Sequence, residues 1–486
     1  MNKKYESIYA WKYIGIMLIF VGIVILSPLL VLPFYPEELA NSIYFMIPAA
    51  AAGAFGFILS KIHVLEDYKL SIGNDAIIVV GVWLLATLFS ALPFILSGML
   101  NFTQAYFEAM SGWTTTGLSV VDVTKAPHIF LIFRSIIQFF GGVGIVLVVV
   151  SALSENLGMK LYTSEGHNDK LLPNLARSSR LILKIYLGYF LTGTVLYVIF
   201  GMPLFDAVNH SMAALSTGGF STQTLSIGAY NSFPIELVTV ILMILGSTNF
   251  FAHLLLIKGK FRLFLKLGET KFTLLLIALS VPMVAVLSLY KVYGNMASAL
   301  RISFFNIVSA LTTTGFATVN YNDWPDYAWL VMILLMIIGG GIGSTAGGIK
   351  AGRVYLILKQ IGWSVRRKFM PEKMVNKPLI NKPDGKKVIS PEMYLEASNY
   401  AITFIMILFI GTGILTLTGY SLKDSLFEFS SALGTVGLSV GVTSINTPSV
   451  DLWVMTVGML FGRLEIFVVF YAVIKVVSKV RKHKFL

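Results

Sequence analysis

Four short segments of this chain share one pattern: SGWTTTGLSV at 111–120, AALSTGGFST at 213–222, SALTTTGFAT at 309–318 and SALGTVGLSV at 431–440. Aligned on Gly117, Gly219, Gly315 and Gly437, each has a threonine two positions earlier: Thr115, Thr217, Thr313 and Thr435. The residue between is Thr116, Gly218, Thr314 or Val436. Leu118, Phe220, Phe316 and Leu438 follow the glycine, and Ser111, Ala213, Ser309 and Ser431 stand six before it. One such segment would be read as small residues letting helices pack closely. Four in register, each between two long apolar runs and all on one side, suit the ligation of a dehydrated cation. Such an ion needs rings of carbonyl oxygen, which four extended loops around one axis supply. Glycine takes the positive φ that turns those carbonyls inward. Non-helical backbone at membrane depth is tolerated only when buried in protein or lining a water-filled cavity.

Two other places carry chemistry. The string GGGIGSTAGG at 339–348 holds Gly339, Gly340, Gly341, Gly343, Ser344, Thr345, Gly347 and Gly348. A continuous helix there would lose roughly 1 kcal/mol per glycine relative to alanine. A flexible intramembrane loop that obstructs a pore from below the filter is therefore expected, with close helix packing as the alternative. A nucleotide P-loop does not fit, because Ile349 stands where the lysine belongs and no strand precedes it. Arg463 lies within an apolar run and costs at least about 2.5 kcal/mol there on insertion scales. It faces either water or a partner, such as a carboxylate of another helix, since Glu465 points to a different face. Glu108, His210, Asn306 and Glu428 each precede a filter glycine by nine residues. They either hydrogen-bond the back of the loops or, as carboxylates, gather cations at the mouth. Asp206 and Asp424 read as helix caps.

The elements that must position these residues follow from composition. Hydrophobic residues are 56% and charged residues 13% of the 486, against about 25% charge in soluble domains. Runs of about 20 apolar residues span a bilayer. They place crossings near 13–34, 42–60, 74–97, 128–153, 180–200, 232–257, 272–293, 326–358, 398–419 and 449–474. The expected fold is an all-α polytopic membrane protein: two N-terminal transmembrane helices, then four helix–pore-loop–helix repeats in pseudo-fourfold arrangement around one pore. The divisions fall at 1–73 for the helix pair, 74–155, 156–260 and 261–360 for the first three units, 361–397 for a basic cytoplasmic connection, and 398–486 for the fourth unit. Pore helices at 102–113 and 204–215 would aim the negative ends of their dipoles at the ion. The first run is too long for a cleavable signal peptide.

The net charge of +13 comes from clusters in alternate connections, which hold 31 of the 37 Lys and Arg. That alternation is the positive-inside rule, with both termini cytoplasmic; it reports orientation, not nucleic-acid binding. The chain has no cysteine, hence no disulfide or thiolate site.

On the four filter segments and the glycine string, the chain resembles the Trk/Ktr/HKT superfamily of potassium transporters over about 74–480, and the two extra N-terminal crossings resemble its TrkH branch. The resemblance implies potassium uptake across the inner (plasma) membrane, with K⁺ bound at the filter residues named above. It implies gating by the 339–348 loop and an electrostatic barrier at Arg463. It also implies a homodimer with one pore per protomer, no organic cofactor, and a cytosolic nucleotide-binding regulatory subunit of the TrkA type. Glycine at all four filter positions favours potassium; in plant relatives, serine in the first loop accompanies sodium selectivity. The loops are unequal at Gly218 and Val436, so Rb⁺ passage and some Na⁺ leak are expected. Uptake driven by Na⁺ or H⁺ coupling, or weak K⁺/Na⁺ selectivity, remains open on the same fold. The basic connection 359–392 is either a docking surface or a solvated loop. An inverted-repeat transporter would not place four re-entrant segments on one side. Catalysis is not expected: the six histidines are scattered without metal-site spacing, and no nucleophile elbow is assigned.

Overall fold

Hydrocarbon offers no partner to backbone N–H and C=O groups, so long apolar runs become helices. In the computed structural model, which describes residues 3–62, 74–144, 175–370, 378–382 and 385–483, six helices are long and apolar enough to cross a bilayer alone. They are Ala10–Phe34, Pro36–Ser60, Asp75–Leu96, Ser179–Ile199, Gly268–Tyr293 and Pro391–Leu417. Their outer faces expose large apolar side chains such as Leu191, Leu279 and Phe409, as lipid contact requires. The first two pack closely through glycines, Gly15 facing the Gly56 backbone.

Two of the remaining crossings bend where a continuous helix is expected. Phe233–Gly246 meets Phe250–Ile257 at a bend of 116°, and Ser449–Leu464 meets Ile466–Ser478 at 106°. At the first bend the Asn249 side chain caps the new helix by accepting from Phe251 N at 2.7 Å. At the second, Glu465 takes a left-handed φ of 61°. Asp326–Ile338 and Ala351–Arg367 are separated by the glycine string. His128–Val143 stops at Gly144, with φ 95°; the rest of the expected 128–153 crossing lies outside the described residues. Hydropathy cannot report the two bends, because a bent segment is as apolar as a straight one.

Between outer and inner helices lie four short helices: Phe102–Trp113, Leu204–Leu215, Met296–Leu311 and Leu422–Leu433. Asn101, Asn295 and Ser421 cap three of them through side-chain oxygens, satisfying amides that a helix start leaves orphaned. Each inner helix packs on the next unit's short helix, the fourth returning to the first. That head-to-tail circuit closes the four units around an axis. A small departure from an all-helical chain occurs in the basic connection, where Leu379–Lys382 and Gly385–Val388 pair antiparallel, with Leu379 opposite Val388.

Candidate functional site

The four segments repeat the same backbone turn and hydrogen bonds. After each short helix the chain turns through a threonine at left-handed φ: 55° at Thr115, 52° at Thr217, 54° at Thr313 and 50° at Thr435. A β-branched residue there is a genuine outlier, costing about 1–3 kcal/mol and persisting only where its surroundings over-determine it. The surroundings repeat. Thr116, Gly218, Thr314 and Val436 donate their amides to the carbonyls of Ser111, Ala213, Ser309 and Ser431 at 2.8–2.9 Å. The Ser111 and Ser431 hydroxyls accept from Gly117 N and Gly437 N at 3.0 Å. The Ser309 hydroxyl donates to Phe316 O at 2.7 Å.

The glycines then meet the neighbouring loop. A Cβ on Gly117 would overlap the carbonyl oxygen of Gly218, and one on Gly219 would overlap that of Thr314. One on Gly315 would overlap the Val436 oxygen, and one on Gly437 the Thr116 oxygen. Their φ values, 93°, 71°, 85° and 93°, exclude side chains independently. Four glycine-to-carbonyl approaches thus form a closed ring. The Thr115 and Thr435 hydroxyls are buried without a hydrogen-bond partner.

The residues nine before each glycine tie down the chain that leaves the ring. Ser119 donates to Glu108 at 2.9 Å, His210 Nε2 meets Ser221 at 2.9 Å, Asn306 Nδ2 donates to Thr318 at 2.9 Å, and Ser439 donates to Glu428 at 2.8 Å. Glu108 also pairs with Arg134 at 2.7 Å, both essentially buried. Asp424 sits in the first turn capped by Ser421. Asp206 differs from its expected capping role: its carboxylate accepts from Thr222, Gln223 and Tyr230, so it fastens the loop after the second segment. Residues 437–441, GLSVG, do have nucleophile-elbow spacing, which the sequence reading passed over. No strand precedes them, and the Ser439 hydroxyl is held by Glu428.

The 339–348 segment lies directly against the ring. Gly347 N donates to the Thr313 hydroxyl at 2.8 Å, and the Thr345 hydroxyl meets that of Thr217 at 3.0 Å. A Cβ on Gly347 would overlap both Gly434 O and Thr435 Oγ1. Gly339, Gly343 and Gly348 take positive φ of 72°, 66° and 76°. Far from loose, the segment is pinned into the bend of the second unit's inner helix. Gly341 N donates to Ser247 O at 2.8 Å, Phe250 N to Gly343 O at 2.9 Å, and Asn249 Nδ2 to Ile342 O at 2.7 Å. Glu269 Oε1 accepts from Ile342 N at 2.7 Å and from Gly352 N at 3.1 Å, tying the segment's interior to the first turn of the helix that follows it. Within the segment, the Ser344 hydroxyl donates to Gly341 O, and Ala351 N closes on Gly340 O.

Arg463 joins this segment to the first unit. Nη1 donates to Thr345 O at 2.7 Å, and Nη2 donates to Gly142 O at 2.9 Å and to Gly141 O. Glu465 pairs with Arg353 at 2.7 Å instead. Glu269, Asn249 and Arg134 escaped the sequence reading. Each stands alone among ordinary neighbours, and only the fold brings its partner near.

A profile of the TrkH family, described as cation transport protein, matches residues 45–480. The chain is 31% identical over 488 aligned positions to the Trk system potassium uptake protein TrkH of Escherichia coli, covering 94% of this chain and 96% of that one. An uncharacterized cation transporter of Methanocaldococcus jannaschii is 30% identical over 450, covering 92% and 91%. The crystal structure of the potassium transporter TrkH from Vibrio parahaemolyticus superposes with a TM-score of 0.83 at 26% identity, over 97% of this chain and 98% of that one.

Proposed function

Since the chain belongs to the TrkH family of cation transport proteins, we propose that it takes up K⁺ across the cell membrane through one pore per protomer, with the four glycine loops as selectivity filter. It is a transporter and not an enzyme. The observation that carries the filter reading is the closed ring in which each of the four glycines abuts the next loop's carbonyl oxygen. Carbonyl rings replace the hydration shell of a monovalent cation, and the ring here has space only for glycine. Rb⁺, close to K⁺ in size, passes as well.

The 339–348 loop is the gate: it touches three of the four filter threonines. Arg463 bridges the loop to the opposite wall and sets a positive charge on the cation path. Opening therefore requires exchanging the loop's hydrogen bonds for others. Helix Ala351–Arg367, which begins where the loop ends and finishes in Arg366 and Arg367, is the lever for a cytosolic nucleotide-binding subunit of the TrkA type. That potassium uptake relatives are named as parts of a Trk system supports such a partner. The assembly is a homodimer in the plasma membrane, with both termini cytoplasmic.

The test is radioactive rubidium uptake into proteoliposomes, competed by K⁺ and separately by Na⁺, for the wild type and Gly315→Ser. Strong competition by K⁺ alone, lost in the variant, supports the filter. Equal competition by both ions in the wild type rejects potassium selectivity.

A further inference from the structure

The four loops are unequal, and the residue compensating for the odd one is on a different unit. In the first and third loops the Thr116 and Thr314 hydroxyls are braced by Thr114 and Thr312 at 2.8 Å. In the fourth, Val436 is packed in an apolar cluster with Met336 and Phe427. In the second, Gly218 has no side chain to brace. The space is filled by Gln138, fully buried on the first unit's inner helix. Its Nε2 donates to Gly218 O at 2.6 Å, and its Oε1 accepts from Phe220 N at 3.1 Å. The amide thus spans Gly219 from behind. A Cβ on Gly218 would stand 2.5–2.8 Å from the three terminal atoms of Gln138.

The internal repeat shows that this is a substitution of one device for another. Each inner helix carries a glycine, or ends just before one, at the same offset from its start: Gly141, Gly246, Gly339 and Gly462. Three residues earlier stand Gln138, Met243, Met336 and Met459, all fully buried. Met243 belongs to the same apolar core as Phe316 of the third loop, Met336 to that of Val436 of the fourth, and Met459 to that of Leu118 of the first. This side chain of each inner helix thus lies in the same core as the next unit's loop, apolar in three units and an amide in the first. Methionine serves where the loop supplies its own threonine or valine; an amide stands where the loop has only glycine.

We propose that Gln138 is a specificity-determining positioning residue, which holds the second loop's carbonyls in register with the other three and so sets discrimination between K⁺ and smaller cations. This rests on reading the four loops as the filter. A glycine-only stretch has the most conformational freedom of any backbone, and a buried carbonyl or amide left without its partner relaxes toward another one. Without the clamp the loop adapts to a smaller ion. Gly218 itself has no positive φ, so a threonine fits its backbone once Gln138 is out of the way. Gln138→Met with Gly218→Thr would rebuild in the second loop the arrangement of the first and third, with Ser216 in the bracing position.

The experiment measures rubidium uptake with K⁺ and Na⁺ competition in proteoliposomes of the full chain. The variants are Gln138→Met, Gly218→Thr, the double variant and Gly315→Ser. In Gln138→Met, discrimination against Na⁺ is expected to fall about tenfold, the scale of one lost buried hydrogen-bonded clamp, while uptake persists. Gly218→Thr alone clashes with the amide and loses uptake or assembly. The double variant regains wild-type discrimination, which mere structural damage would not allow, even if Gln138→Met alone proves unstable. Wild-type discrimination in Gln138→Met overturns the proposal, as does failure of the double variant to improve on either single change. If Gly315→Ser also leaves discrimination intact, the filter reading itself falls; if it abolishes discrimination while Gln138→Met does not, only the role of Gln138 is lost.

Discussion

Replacing Glu269 tests the gate, because one carboxylate oxygen receives an amide from within the loop, Ile342 at 2.7 Å, and one from the helix that follows it, Gly352 at 3.1 Å. Hydrogen bonds to a charged group contribute about 1.5–3 kcal/mol each, and neutral ones about 0.5–1.5. Both amides reach the same oxygen, so a glutamine can keep both bonds as neutral ones. Glu269→Gln should then weaken the docked loop by about 2 kcal/mol, a shift of roughly 30-fold toward the undocked state. Glu269→Ala removes both bonds, at least about 3 kcal/mol, and shifts the balance by more than about 100-fold. Rubidium uptake into proteoliposomes without any regulatory subunit should rise in that order: wild type, glutamine, alanine. Discrimination between K⁺ and Na⁺ should stay constant, since neither change touches the ring. If uptake in the alanine variant does not exceed the wild type while the protein elutes as the same species with unchanged selectivity, docking of this loop does not limit flux.

Three further outcomes follow from what each side chain or glycine touches. Gly219→Ala places a methyl group on Thr314 O at a backbone φ of 71°, and should abolish K⁺/Na⁺ discrimination in the competition assay. Gly413→Ala, on an exposed helix face with no atom within 4 Å of the added carbon, should leave it unchanged. Arg134→Met strands the Glu108 carboxylate in the interior, where breaking a buried ion pair costs about 3–5 kcal/mol. Thermal unfolding in detergent should shift down sharply, and adding Glu108→Gln should recover much of the loss; an unshifted midpoint would mean that the pair contributes nothing.

Much of the architecture was legible in the sequence, because a bilayer leaves so few solutions. Apolar runs must be helices, lysine and arginine mark alternate connections, and Gly117, Gly219, Gly315 and Gly437 recur with the same neighbours. A repeat within one chain is visible without coordinates. So was the break at 339–348, since six glycines in ten residues cannot be an economical helix. The bends at 247–249 and at Glu465 were not legible: Asn249 and Glu465 are unremarkable residue types, and their local conformations are imposed by what packs against them.

What the sequence by itself determined is the inventory: the membrane class, the four loops, the glycines that carbonyl packing requires, and one arginine where hydrocarbon disfavours charge. Only the tertiary structure decided the pairings. It set Arg463 on the backbone of Thr345, Gly141 and Gly142 and Glu269 on the amides of Ile342 and Gly352. It also joined Gln138 to Gly218, 80 positions away in the chain. The reason is physical. Periodicity and composition report how a residue meets solvent or lipid, which is local. Hydrogen bonds between units depend on distances fixed by closing the ring, which no segment contains alone.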